Sequence, residues 1–397
     1  MVWNWNPNAE GSFAIKHAPS EVTIITFVNL RISSLSIELL ARKGLLKKYT
    51  SIKSSPVHDL YVSSDLKLNG LALEQTYLSK VWFEENNTFL EKLTISYNRL
   101  KSVPGTVTHL TRIKEICITG SRIQSIDFAL FAKLQRLENL NLNYNIINDL
   151  EYSTLSGDDF PQLRELYLSS NRLTTVNFMH FNGMNTLETL YLSNNEITHV
   201  QGPLLTSSLK ILNMSANLIT TLSCCNWTAN GVINMMLFSN KLDLLPTCIE
   251  DTMVKVKYLH LASNALSSEN DFWARLASMK SLQLIDISYN RITSVVLDSE
   301  LPLLLYLNLQ NNRVTDVSVS IANDGLSINA DCNLIAQFVP GNVTQNVTAF
   351  SMRYNPLDCS WDSTWNAKQI RSETNELQCK SNESVCKECF SKEVTKK

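Results

Sequence analysis

The sequence predicts an α/β solenoid, a row of short coils that each add one strand to a parallel sheet. Three observations carry that expectation. An eleven-residue frame, L-x-x-L-x-L-x-x-N-x-I, is spelled out from Leu187 to Ile197 as LETLYLSNNEI. Its asparagine slot returns at Asn98, Asn145, Asn171, Asn195, Asn217, Asn240, Asn264, Asn290, Asn312, Asn333 and Asn355, with Ser121 between Asn98 and Asn145. The steps run from 21 to 26 residues. That lies inside the window of roughly 20–29 residues of leucine-rich repeats and below the periods of helical repeats.

Within the frame, Leu190 and Leu192 alternate with Tyr191, so the leucines face inward from a short strand and the tyrosine faces out. One coil cannot bury its leucines alone, so coils stack on a shared core. Asn195 falls where the strand turns away, and its amide can donate to and accept from backbone groups of the turn and the next coil. Each buried peptide group it satisfies would otherwise cost about 1–3 kcal/mol. A serine supplies only part of that pattern, so the Ser121 coil is expected to be irregular. The full expectation is a leucine-rich-repeat horseshoe of about thirteen coils, its parallel sheet lining a concave face and a disulfide-bonded cap closing the C-terminal end.

Three segments follow: residues 1–67 as an N-terminal cap with degenerate first repeats, 68–357 as repeats, and 358–397 as a cysteine-containing cap. Residues 1–21 read as irregular, with Trp3 and Trp5 either shielding the first coil or belonging to a partly ordered terminus. Val22 to Ile32 alternates like an edge strand, and Leu35 to Tyr49 has helical spacing, with a solvated basic face of Arg42, Lys43, Lys47 and Lys48. Residues 50–67 do not phase; from Leu68 the frame resumes with Thr76 in the asparagine slot. In the long connector after Asn264, Phe272, Trp273, Leu276 and Met279 predict a helical turn.

The chain has 397 residues, a net charge of −2 and 18% charged residues. That balance implies neither nucleic acid nor an anionic membrane as a partner. No apolar run reaches 18 residues, so no membrane span is expected, and the first residues lack the pattern of a signal peptide.

Cysteines bear on compartment. Cys225 lies eight residues after Asn217 and Cys248 eight after Asn240, so both occupy one slot on neighbouring coils. Coils stack about 4.7–4.9 Å apart, within the reach of a disulfide. Cys248 therefore pairs with Cys225, or with Cys224 should the connector shift by one, which argues for an oxidising compartment. In the cap, Cys359 and Cys379 are the expected pair; Cys386 and Cys389 pair with each other, with Cys224 or with another chain. Cys117 sits outward on its strand as a free or intermolecular thiol, and Cys224 is open to the same two fates. Nine cysteines is an odd number, so at least one is unpaired or intermolecular, which leaves room for a disulfide-linked dimer. Six glycosylation sequons stand at Asn86, Asn213, Asn226, Asn342, Asn346 and Asn382, about as many as an asparagine-rich chain yields by chance. The outward strand position of Asn213 suits a glycan.

No phosphate loop, nucleophile elbow or H-E-x-x-H is present, and the six histidines are scattered. An enzyme is not expected, nor is a cofactor or metal. What remains is a surface. Tyr167 and Tyr191 share an outward slot on adjacent coils, and Met236, Phe238, Tyr258 and His260 form a second outward group. Tyrosine, phenylalanine and methionine are favoured at interfaces, so this concave face is the candidate site for a protein partner. The plain alternative is that these side chains only shield neighbouring strands.

Residues 219–314 resemble the mosquito leucine-rich-repeat immune proteins of haemolymph (LRIM/APL-like). The likeness rests on L-S-C-C at 222–225, L-F-S-N-K-L at 237–242, L-P-T-C at 245–248 and V-K-Y-L-H-L-A-S-N at 256–264, followed by N-P-L-D-C at 355–359 and its trailing cysteines. The resemblance implies a secreted, non-catalytic protein of innate immunity. Its partner would be a complement-like thioester protein or another leucine-rich-repeat immune protein, joined in disulfide-linked complexes. The chain departs from that family in lacking a coiled coil after the cap and in spacing Cys386 and Cys389 by two, so it reads as a short or truncated member. The alternative is the ectodomain of a leucine-rich-repeat receptor or adhesion protein.

Overall fold

The computed structural model describes residues 1–6, 21–42, 47–151, 159–268, 271–299, 301–320, 325–337 and 347–357. The chain divides into two compact units, Met1–Ile197 with Leu204–Leu209, and Thr198–Pro203 with Lys210–Lys397. Each unit is a parallel β-solenoid.

In the first unit the inner sheet runs in chain order through Val2–Trp3, Ile24–Val28, Tyr49–Lys53, Gly70–Glu74, Lys92–Ser96, Glu115–Thr119, Asn139–Asn141, Glu165–Tyr167 and Thr189–Tyr191. In the second it runs through Ile211–Asn213, Asn234–Met236, Tyr258–His260, Leu284–Asp286, Tyr306–Asn308, Leu326–Asn329 and Val347–Ser351. Among the described residues, the thirteen strands from Gly70–Glu74 onward match the coils that the asparagine slot predicts. The frame explains the register: Leu166 stands beside Leu190, and Met235 beside Leu259, so each coil's inward apolar residue packs on the next. Leu166, Leu190, Met235 and Leu259 have no exposed surface. Short outer ladders, such as Ser125–Asp127 with Asp149–Glu151 in the first unit and Ser294–Leu297 with Asp316–Val319 in the second, line the far side. In the first unit the space between the layers is filled by Phe128, Phe178 and Phe181, with Phe128 and Phe181 edge-on at 5.9 Å.

The asparagine slot works as expected. Asn195 Nδ2 donates to Leu168 O one coil back (3.0 Å) and to Leu192 O (3.0 Å), while its Oδ1 accepts from Leu173 N (3.1 Å). Asn264 and Asn290 repeat the pattern in the second unit. The residue before each ladder asparagine is left-handed: Tyr97, Tyr144, Ser170, Asn194, Ala216, Ser239, Ser263, Tyr289, Asn311, Cys332 and Tyr354 all have φ between 51° and 59°. A non-glycine φ of that sign costs energy and persists where its surroundings fix it; the ladder amide beside it supplies that constraint. Ser121 breaks the pattern as its short side chain predicts, and its buried Oγ has no hydrogen-bond partner among the described residues.

The N-terminal segment differs from expectation in three ways. Residues 49–53, which do not phase in the sequence, form a strand in full register with Ile24–Val28 and Gly70–Glu74. Ile24–Val28 is no edge strand, because Val2–Trp3 pairs on its other side. The helix expected over 35–49 is confined to Ile37–Arg42, and Ser34–Ser36 is instead a strand paired with Asp59–Val62. The coil pattern therefore reaches the first residues without asparagine, and at the second coil a hydroxyl takes its place: Ser55 Oγ accepts from Leu30 N (2.8 Å) and donates to Lys53 O (2.7 Å). Trp5 is buried and stacks on Phe27 at 5.7 Å, covering the first coil, whereas Trp3 is exposed. In the second unit the helix Phe272–Ser278 forms where its apolar spacing predicts and buries Phe272, Trp273 and Leu276.

Candidate functional site

The outward strand positions form rows, because neighbouring coils are in register. In the first unit Tyr167 pairs directly with Tyr191, and their rings lie 5.2 Å apart, tilted by 31°. Tyr167 Oη donates to Glu165 Oε2 (3.2 Å), and that carboxylate also accepts from Asn139 Nδ2. Burial, with the adjacent Glu165 charge, pushes the Tyr167 phenol up to about 12. The pair is thus a half-buried aromatic shelf whose polar end is already engaged.

In the second unit Met236 stands between Asn213 and His260, and His260 between Met236 and Asp286. Tyr258 lies two residues before His260 on its strand, and Phe238 two residues after Met236. Their side chains therefore flank Met236 and His260 on either side. Tyr258 is 38% and Phe238 36% exposed. Burial holds the His260 imidazole below its ordinary value, the Asp286 charge opposing, so it is neutral at physiological pH. Asp286 is itself tied down, accepting from Ser288 N (3.0 Å) and Ser288 Oγ (2.7 Å). Met236, Phe238, Tyr258 and His260 thus make an aromatic, thioether-containing group with no charge of its own, bordered by the Asp286 carboxylate, and aromatic and methionine side chains are favoured at the centre of protein interfaces.

The structure brings together the two residues expected in the first unit and the four expected in the second. Coil arithmetic does not reveal the exposed tyrosines of the left-handed slot, Tyr97, Tyr144, Tyr289 and Tyr354. Their signal is the position immediately before each ladder asparagine.

Cys225 and Cys248 are disulfide-bonded, their Cα atoms 4.9 Å apart, so the slot argument selects Cys225 over Cys224. Cys224 and Cys117 are free thiols. Cys224 is fully buried and desolvation pushes it up to about 12, so of the two fates expected for it, free or joined to another chain, the structure has the free thiol. Cys117 is half-buried, and desolvation pushes its thiol up as well. Cys332, which sequence reasoning left without a role, is also disulfide-bonded. Cys359, Cys379, Cys386 and Cys389 lie outside the described residues, as do Asn342, Asn346 and Asn382. Asn86 and Asn226 are exposed. Asn213 is not: it is 6% exposed, with Oδ1 accepting from Ser215 N and Oγ. Its strand position is outward, as expected, but the neighbouring Met236 and the bonds to its own sequon serine enclose it.

The model of the leucine-rich-repeat family matches residues 161–219. These residues are leucine-rich repeats. The repeat chain is 26% identical over 296 residues to lumican of Bos taurus, an alignment covering 73% of this chain and 70% of lumican. Among solved structures, the leucine-rich-repeat protein of Leptospira interrogans superposes with a TM-score of 0.60 at 18% identity, over 89% of this chain and 95% of that one. The LRIM1/APL1C complex gives a TM-score of 0.55 at 18% identity, over 82% of this chain and 55% of that one. At such identities the structural likeness is one of fold. No described helix of the repeat chain is long and apolar enough to cross a membrane.

Proposed function

We propose that this leucine-rich-repeat chain is an extracellular, non-catalytic protein-binding module, and that its partner docks on the strand face of the second unit. One observation carries the reading: Met236 and His260 pair on adjacent strands, and with Tyr258 and Phe238 on the same two coils they form a group of uncharged side chains, Tyr258 and Phe238 open to solvent. The Cys225–Cys248 disulfide supports an oxidising compartment. The cysteine placement at 222–248 and 355–359 supports the finer reading of insect innate immunity. On that reading the partner is a complement-like thioester protein or a second leucine-rich-repeat immune protein in haemolymph.

Surface plasmon resonance with a purified thioester protein, and separately with a purified leucine-rich-repeat immune protein, tests it. Tyr258→Ala and Phe238→Ala are each expected to weaken the cognate complex about tenfold or more, the loss for an interface anchor, without altering the thermal midpoint. Wild-type affinity in both variants moves the interface off this face. Failure of both partners to bind removes the immune reading.

A further inference from the structure

We propose that a concavity beside the asparagine ladder of the first unit is a binding site for an acidic saccharide. It is independent of the strand face. Its walls are two rows flanking the ladder. One is the left-handed slot, Asn29, Ser54, Gln75, Tyr97 and Gly120; the other is the residue after the ladder, Pro56, Tyr77, Arg99 and Arg122. The space measures about 720 Å³, within the roughly 300–1,000 Å³ of small-molecule sites.

Charge is the first argument. Arg99 and Arg122 occupy one slot on consecutive coils, and no acidic side chain lines the space. Neither arginine has a carboxylate partner among the described residues. Three carboxylates of these coils are committed elsewhere: Glu74 to Lys53, Glu115 to Lys92, and Glu91 to Arg112 and Lys114. Two like charges a coil apart are unfavourable without a counter-ion, and guanidinium forks fit carboxylate or sulfate oxygens.

Shape and chemistry are the second. The Arg99 guanidinium lies 4.2 Å from the Tyr77 ring centroid, which fixes its plane and leaves its edge for an anion. Tyr97 owes its position to Gly120: a Cβ there would sit 2.7 Å from the Tyr97 ring, so only glycine lets the ring lie across that coil. Two exposed phenol rings offer apolar faces with polar tips. Gln75 takes the Ser54 hydroxyl on Oε1 (3.2 Å), which keeps its amide donors available. Pro56 is the single aliphatic residue in the lining. A peptide would need apolar anchor pockets, whereas a ring bearing hydroxyls and an acid group matches rings, amides and arginines together.

The experiment is titration calorimetry on the full chain. The probes are a glucuronate–N-acetylglucosamine disaccharide, a sulfated heparin disaccharide, neutral chitobiose and hexaglutamate. At least one acidic disaccharide is expected to bind, with chitobiose about tenfold weaker or worse. The first two probes separate carboxylate from sulfate as the recognised acid. Arg99→Gln with Arg122→Gln is expected to weaken binding about tenfold or more, Tyr77→Ala and Gly120→Ala to weaken it less, and Arg136→Gln, an exposed arginine elsewhere, to leave it unchanged. Thermal midpoints verify folding of each variant. The assignment is overturned if neither acidic disaccharide binds up to about 10 mM. It is equally overturned if chitobiose binds as well, if hexaglutamate binds more tightly, or if the double arginine variant binds like wild type.

Discussion

Asn195 bonds the carbonyl of Leu168, 27 residues earlier, at 3.0 Å, and one side chain thereby ties two coils at a buried turn. The same amide takes Leu192 O and satisfies Leu173 N. Asn195→Ala removes these bonds together and leaves buried peptide groups without partners. At about 1–3 kcal/mol for each such group, a loss of at least about 3 kcal/mol is expected. Because stacked coils need not unfold as one, the most direct reading is hydrogen exchange at the Leu173 amide, expected to speed up more than amides several coils away. Uniform acceleration across the first unit would show that the bond acts globally.

Ser121 stands in the same slot with its Oγ buried and unbonded, while Gly120 N reaches Asn143 O only at 3.4 Å. Ser121→Asn restores the missing amide and is expected to raise stability by about 1–2 kcal/mol, read as a shift in urea midpoint. Ser121→Ala removes an unsatisfied hydroxyl and is expected to be neutral or mildly stabilising. Destabilisation by both would mean that the hydroxyl finds water.

Coil number and inward residues were legible because leucine spacing and ladder asparagines are set locally, one coil at a time. The first two coils were not, because Leu30 and Ser55 fill their ladder slots, and only the left-handed Asn29 and Ser54 mark the turns. Pairings across neighbouring coils, such as Tyr167 with Tyr191 and Met236 with His260, follow from register. Depth of burial does not: Asn213 and Tyr191 hold equivalent outward positions, yet Asn213 is enclosed by Ser215 and its neighbour Met236. The unpaired arginines beside Tyr77 were invisible for the same reason, since partnership between coils depends on which acids are already taken.

The Cys225–Cys248 bond closes a loop with a sequence separation of 23. Replacing both cysteines by alanine is expected to cost the second unit about 3 kcal/mol on the loop-entropy relation. The thiols give an independent reading. Under native conditions a maleimide is expected to label Cys117 slowly, at a rate that rises with pH because burial lifts its thiol above the ordinary 9.0, and to leave Cys224 unmodified. After denaturation without reductant, both react. Native labelling of Cys224 would contradict its burial.

Arg275 Nε and Nη2 each donate to Glu250 at 2.8 Å, and Nη2 also reaches Pro246 O at 2.7 Å, tying the helix Phe272–Ser278 to the turn that carries Cys248. The Arg275 bonds hold the Glu250 carboxyl below its ordinary 4.5, against the opposing effect of burial. A carboxyl lowered on folding binds fewer protons in the native state than in the unfolded one. Its stabilisation is therefore complete above pH 4.5 and fades as pH falls below that value. Both side chains remain partly open to solvent, so screening makes the effect modest. Glu250→Gln is expected to lower the thermal midpoint at pH 6, and the difference from wild type should shrink towards pH 3. A difference that stays constant across that range would show that the glutamate acts through packing, with its charge contributing nothing.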